Sequence, residues 1–244
     1  MPKKIIRNLT GKNRDKKYDL YLGIILAFIA GTVNAGGFLA VGYYTSHMSG
    51  IVSSIADFIA IERFNLAGSA LLFLLSFILG ATTSSIIMSF AKERNLTSKF
   101  ALPLMLEAFL LMLFGSIVSN YFNFVSLSVN LTISLLCFIM GLQNAIITRV
   151  SNARIRTTHV TGIATDIGIE SGRYIYCIFS EKKDSTFNSE NFMLYISLLI
   201  SFLGGGICGA FSFKYFGFIT VLPLSFILAI LASVPIIDDF TSKK

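Results

Sequence analysis

The segment Thr45-Ser46-His47-Met48-Ser49-Gly50-Ile51 returns 112 residues later as Thr157-Thr158-His159-Val160-Thr161-Gly162-Ile163. Other matches follow in the same order. Gly31-Thr32-Val33-Asn34-Ala35 is answered by Gly141-Leu142-Gln143-Asn144-Ala145 at an offset of 110. Ser76, Phe77, Gly80 and Ser84 are answered by Ser201, Phe202, Gly205 and Gly209 at an offset of 125, and Leu102-Pro103-Leu104 by Leu222-Pro223-Leu224 at 120. Self-similarity that keeps its order along the chain is the mark of a repeated structural unit.

The apolar runs show what each unit contains. Leu20–Tyr43, Leu66–Phe90, Ala101–Ser119, Asn130–Thr148, Phe192–Ser212 and Gly217–Ile237 each approach or exceed the about 20 residues a membrane-spanning helix needs, and they fill over half of the 244 residues. Only 14% of the chain is charged, where soluble domains carry roughly a quarter, so the solvent of this chain is largely lipid. The first run exceeds a secretory apolar region of about 7–15 residues and lacks a cleavage site, so it reads as a retained helix. Cys137, Cys177 and Cys208 have no paired spacing, and neither a disulfide frame nor a zinc site is expected. Tryptophan is absent, which leaves Tyr18, Tyr21, Tyr43, Tyr44 and Tyr215 for the interfacial aromatic belt.

Charge sets the orientation. With six spans and a cytoplasmic N-terminus, 18 Lys/Arg lie inside, and only Arg63 and Lys214 lie outside. Letting Ser46–Ile61 and Thr158–Phe179 cross as well would move Lys92, Arg94, Lys99, Arg149, Arg154 and Arg156 outside and spoil the positive-inside bias. The expected organisation is a basic cytoplasmic segment 1–19, a first three-helix repeat 20–119, an external loop 120–129, a second three-helix repeat 130–237 and a cytoplasmic tail 238–244. Three is odd, so the halves insert in opposite senses. The expected fold is an all-α membrane protein of six transmembrane helices in two inverted repeats, each with a broken or re-entrant segment after its first helix. Inverted repeats of this kind are typical of secondary transporters, whose sites lie at the repeat interface near the midplane.

Candidate binding residues follow from the repeat. Ala27, Gly31, Asn34 and Phe38 share one helical face, as do Cys137, Gly141, Asn144 and Thr148. Each face sets a small residue one turn before an amide, which lets a neighbouring helix approach and offers a donor and an acceptor within lipid. Asn34 and Asn144 are expected to face each other across a central site, with Gln143 as a second amide; interhelical hydrogen bonding is the competing role. Thr45, His47, Ser49 and Gly50, with Thr157, His159, Thr161 and Gly162, place hydroxyls, a histidine and a glycine at a helix end, where a broken helix exposes its N–H groups to a ligand. His47 and His159 are the only histidines; they read either as a proton-handling pair or as helix caps. Asp57, Glu107 and Asp166 are candidates for proton or ion coupling. No catalytic signature is found: H-E-x-x-H and G-x-S-x-G are absent. The formal G-x-G-x-x-G at Gly204–Gly209 lies inside an apolar span with no strand before it, so no dinucleotide site, cofactor or metal is expected. The net charge of +7 sits in loops beside apolar runs, which argues against nucleic acid. The partners expected are the lipid bilayer, a small polar solute or ion and, as an option, a second copy in a homo-oligomer.

These motifs, chiefly Gly31–Gly37, His47–Gly50, Gly141–Ala145 and Thr157–Gly162, resemble the YoaK-like family of bacterial multi-pass membrane proteins, whose function is largely uncharacterised. The likeness runs from about Tyr21 to Pro235. It implies a six-helix fold in the bacterial inner membrane and no established substrate. Members of that family usually carry an acidic residue where this chain has Asn34, and an asparagine where it has Ile51. The function expected is a transporter or facilitator of a small polar solute. The alternative is a non-transporting structural or regulatory membrane protein whose polar motifs pack helices.

Overall fold

A computed structural model describes residues 2–11, 16–121, 127–179 and 187–241. All regular elements among these residues are helical: α1 (Pro2–Thr10), α2 (Lys16–Val41), α3 (Met48–Ala60), α4 (Phe64–Glu93), α5 (Ala101–Tyr121), α6 (Leu127–Val150), α7 (Val160–Phe179), α8 (Ser189–Phe216) and α9 (Val221–Thr241). Residues 122–126 of the expected external loop lie outside the described residues. So do Lys12, Arg14, Lys182, Lys183, Lys243 and Lys244 of the charge bias.

Among the described residues, four stretches are long and apolar enough to cross a membrane: Lys17–Leu39, Phe64–Glu93, Val129–Val150 and Ser189–Thr241. Within lipid a helix satisfies its backbone groups along its own length, so such runs fold as helices whatever their neighbours. The last stretch holds two helices. Gly217 caps α8 with φ of 59°, a left-handed conformation that glycine adopts without a Cβ penalty. A 3₁₀ turn, Gly217–Thr220, then leads into α9. Met48–Ala60 and Ala101–Ser116 are shorter apolar helices.

Burial orders the helices from inside to outside. The apolar windows of α2 and α6 are each 61% buried and that of α4 only 22%, which puts α2 and α6 at the centre. Leu22, Leu26, Ile29 and Ala30 of α2 and Leu136, Ile139, Met140 and Ile146 of α6 belong to one core. On α4, Leu71, Leu72, Leu75, Ile78, Leu79 and Ile86 are exposed. So continuous an apolar surface is unusual on a soluble monomer and fits a face against acyl chains.

The closest packing joins the two halves of the chain: α2 lies on α8, α4 on α6 and α5 on α9. Glycines permit it. A methyl group on Gly31 of α2 would strike the Phe202 carbonyl of α8, and one on Gly205 would strike the Phe28 carbonyl of α2. The other pair repeats the arrangement, with Gly141 of α6 against the Phe77 carbonyl of α4 and Gly80 against the Phe138 carbonyl of α6. Glycine contact of this kind brings helix backbones together where lipid supplies no hydrophobic drive between them. Gly80 and Gly205, which correspond in the repeat, therefore each lie at a helix crossing. Two side-chain bonds reinforce one crossing: Thr32 Oγ1 donates to the Gly205 carbonyl at 3.0 Å and Ser201 Oγ to the Ile24 carbonyl at 2.7 Å.

Part of the basic N-terminal segment, Pro2–Thr10, is helical. Helix α1 lies against α9, where Arg7 makes a two-pronged bond to Asp238 at 2.7 and 2.8 Å and Thr10 Oγ1 donates to the Leu231 carbonyl at 2.6 Å. At the same end of α9, Asp239 accepts from Thr97 N, Thr97 Oγ1 and Ser98 N at 2.9, 2.6 and 2.9 Å, tying α9 to the turn before α5.

Candidate functional site

The site begins with chain reversal. After α2 ends at Val41, the chain turns back until Ser46 N and Oγ donate to Asn34 Oδ1 at 3.1 and 3.0 Å. Asn34 lies about 10 Å back from the end of α2 at roughly 1.5 Å per residue, so the returning segment runs beside its own helix before α3 starts at Met48. The second half does the same. Thr158 Oγ1 donates to Asn144 Oδ1 at 2.7 Å, and Asn144 Nδ2 donates to the Met140 carbonyl at 2.8 Å.

Both returning segments open on one cavity of about 580 Å³. Six repeat-related pairs line it: Asn34 and Asn144, Ser46 and Thr158, His47 and His159, Met48 and Val160, Ser49 and Thr161, Phe77 and Phe202. Tyr44 joins them from the first half. The phenylalanines come from α4 and α8, the same residues whose carbonyls receive the crossing glycines, so helix packing and cavity wall share a register.

The histidines sit at the starts of α3 and α7. Each ring folds over the glycine three residues on, His47 over Gly50 and His159 over Gly162, where a methyl group would collide with it. His47 occupies the N-cap position of α3, yet makes no side-chain capping bond. His159 Nδ1 lies 3.0 Å from Arg156 Nη1. A guanidinium only donates, so this ring nitrogen accepts and the ring hydrogen resides on Nε2.

Of the residues singled out from the repeat, Asn34, Asn144, His47, His159, Ser49 and Thr161 line the cavity. Other candidates stand elsewhere. Gln143 is buried and donates to the Leu26 carbonyl at 2.8 Å, fastening α6 to α2. Thr45 and Thr157 are fully buried, with hydroxyls that find no partner among the described residues. Gly50 and Gly162 lie beneath the histidine rings. Asp57 is exposed towards the far end of α3. Glu107 is wholly buried on α5, and both carboxyl oxygens lack a hydrogen-bond partner among the described residues. Asp166 lines a separate cavity of about 150 Å³ with Arg154, Arg156 and Tyr195.

Sequence reasoning missed Tyr44, Ser46, Met48, Phe77, Thr158, Val160 and Phe202 as lining residues. All but Tyr44 fall in pairs on repeated positions, so the repeat carried the signal for six of the seven. Buried Glu170 also went unnoticed; it accepts from Arg173 Nη1 at 2.7 Å and from Asn188 N at 2.9 Å, holding α7 to the start of α8.

Comparison with known proteins adds three findings. A family model described as "Protein of unknown function (DUF1275)" matches residues 22–234. The chain is 27% identical over 213 residues to the UPF0700 transmembrane protein YoaK of Bacillus subtilis (strain 168), covering 85% of this chain and 90% of that protein. No solved structure matches it.

Proposed function

This chain belongs to the DUF1275 family, and within that family of membrane proteins we propose that it is a secondary transporter or facilitator carrying a small polar solute across the cytoplasmic membrane. One observation carries the reading: a single cavity is lined by both halves in repeat-related pairs. A membrane scaffold needs no such cavity. A solute site at the interface of two repeats is the common design of secondary transporters.

In this reading α2, α4, α5, α6, α8 and α9 are the six spans, and residues 20–119 and 130–237 are the two inverted repeats. The starts of α3 and α7 are re-entrant. Backbone of that kind is tolerated at membrane depth where it lines a cavity or is buried in protein, and both segments line one. The reciprocal glycine crossings support the repeat, because exchanging the halves exchanges the contacts. Both termini are assigned to the cytoplasm from the Lys/Arg bias. Of the three carboxylates, Asp166 stands nearest the site in connectivity, sharing its small cavity with the Arg156 that bonds His159.

A second reading also has an observation behind it. Each cavity asparagine bonds a hydroxyl of its own half, which is what a purely structural clasp would do. The test is thermal unfolding of purified protein with a panel of ions, amino acids, sugars and metabolites, run beside the Asn34→Ala/Asn144→Ala double variant. Transport predicts stabilisation by some solute in the natural protein, lost in the variant, and uptake of that solute into proteoliposomes. A variant that only melts earlier, with no solute effect to lose, favours the structural reading.

A further inference from the structure

The hydroxyls along the cavity can donate or accept, so the balance between donors and acceptors turns on its amides and imidazoles. The two amide oxygens that could serve a cation are already engaged, Asn34 Oδ1 by Ser46 N and Oγ and Asn144 Oδ1 by Thr158 Oγ1. With its oxygen held by Ser46, the Asn34 amide presents its NH₂ on the opposite side. The bond from Arg156 likewise leaves the donor of His159 on Nε2, at the other edge of the ring. None of the described lining residues is acidic.

The backbone adds to this. Met48 and Ser49 open α3, Val160 and Thr161 open α7, and all four line the cavity. The first N–H groups of a helix have no partner within it and carry partial positive charge. Two helix starts therefore meet at one place. Behind His159, Arg154 and Arg156 face a single aspartate, Asp166, which leaves positive charge in excess. The first half has Tyr44 where the second has Arg156, and Tyr44 stacks on Phe38 with ring centres 4.5 Å apart. The cationic group thus stands on one side only. Phe77, Phe202, Met48 and Val160 supply the apolar part of the wall.

We propose that the cavity binds a small organic carboxylate, its charged end against the helix starts and His159 and its carbon skeleton against Phe77 and Phe202. This rests on the reading of the cavity as the solute site and adds the sign of the solute's charge. His159 and the Asn34 amide are assigned direct contact. Arg156 acts through His159 as a positioning residue.

The test compares matched probes on the full-length purified protein. Thermal unfolding is followed with acetate, butyrate and benzoate, with their primary amides, with ethylamine, butylamine and benzylamine, and with sodium chloride. Carboxylates are expected to stabilise where amides and amines do not. Asn34→Asp keeps an oxygen for Ser46 but adds negative charge, and is expected to raise the half-maximal carboxylate concentration at least about tenfold. Arg156→Gln, at an exposed position, serves if Asn34→Asp does not fold, with a rise of about threefold to tenfold. Stabilisation by amides or amines as strong as by carboxylates overturns the charge assignment and leaves the transport reading standing. Response to chloride alone overturns the organic class. Silence from every probe overturns the proposal. Carboxylate binding without uptake of labelled benzoate into proteoliposomes keeps the anion site and removes transport.

Discussion

Asn34 and Asn144 each hold a hydroxyl that arrives later in the chain, Ser46 and Thr158. Such bonds inside a membrane are modest, about 0.6 kcal/mol on average, but these fix the position of a whole segment. Asn144→Ala removes both the clasp on Thr158 and the bond to Met140, and should cost about 1–2 kcal/mol, read as a lower melting temperature in detergent. Ser46 also donates its backbone N–H to Asn34, so Asn34→Ala should cost at least as much; a variant that melted unchanged would show that packing alone holds the segment. Glu107 is the opposite case. A buried carboxyl without a hydrogen-bond partner is destabilising, and an apolar side chain of similar size relieves that penalty. Glu107→Leu should therefore raise stability by about 1–3 kcal/mol; a fall instead would mean that the carboxyl has a role the packing does not reveal. At this scale the sequence was informative for residues on the repeat and silent about direction. Asn144 and Gln143 are neighbours, yet one faces the cavity and the other reaches Leu26. That difference depends on which helix lies beside each face, and no local pattern encodes it.

Between helices, adjacent glycines have opposite environments. Gly205 sits against the Phe28 backbone, whereas nothing approaches Gly204 within 4 Å. Gly205→Ala should lower stability by more than the about 1–3 kcal/mol typical of overpacking, because a backbone carbonyl cannot swing aside as a side chain can. Gly204→Ala should be neutral or stabilising by up to about 1 kcal/mol, the helix-propensity gain of alanine over glycine. Paired melting curves check both, and equal responses would argue against the α2–α8 crossing. The helices α2, α4, α5, α6, α8 and α9 were legible from their apolar length. The partners were not. Long-range pairing of α2 with α8 and of α4 with α6 joins residues more than 50 positions apart, and a single chain carries no local trace of it. Helix α1 was hidden for a related reason: nine residues are too few for an apolar-run argument, and its place is set by Asp238 and Leu231 at the other end of the chain.

For the molecule as a whole, the decisive quantity is the side of the membrane on which each turn lies. The turns at the two ends of α4 contain Glu62 and Asn95, and the turn after α6 contains Ala153; all three residues are exposed. Thirty residues of α4, at about 1.5 Å each, span roughly 45 Å, enough to separate its two turns by a full bilayer. If the halves insert in opposite senses, Glu62 is outside while Asn95 and Ala153 are inside. The exposed cysteine Cys208 and the half-buried Cys177 can first be replaced by serine, and Cys137 is buried. In that background, a membrane-impermeant maleimide applied to intact cells should label Glu62→Cys fully. It should reach Asn95→Cys and Ala153→Cys only after permeabilisation. The comparison that matters is Glu62 with Ala153, because each follows the first long helix of its half. Labelling of both from one side would give the halves the same sense. The cavity would then have to be explained without an inverted repeat, and the argument from repeat to transport would lose its premise. Labelling from opposite sides would place the returning segments of α3 and α7 as two half-helices entering from opposite faces, so that the cavity where they meet lies between the two sides of the membrane.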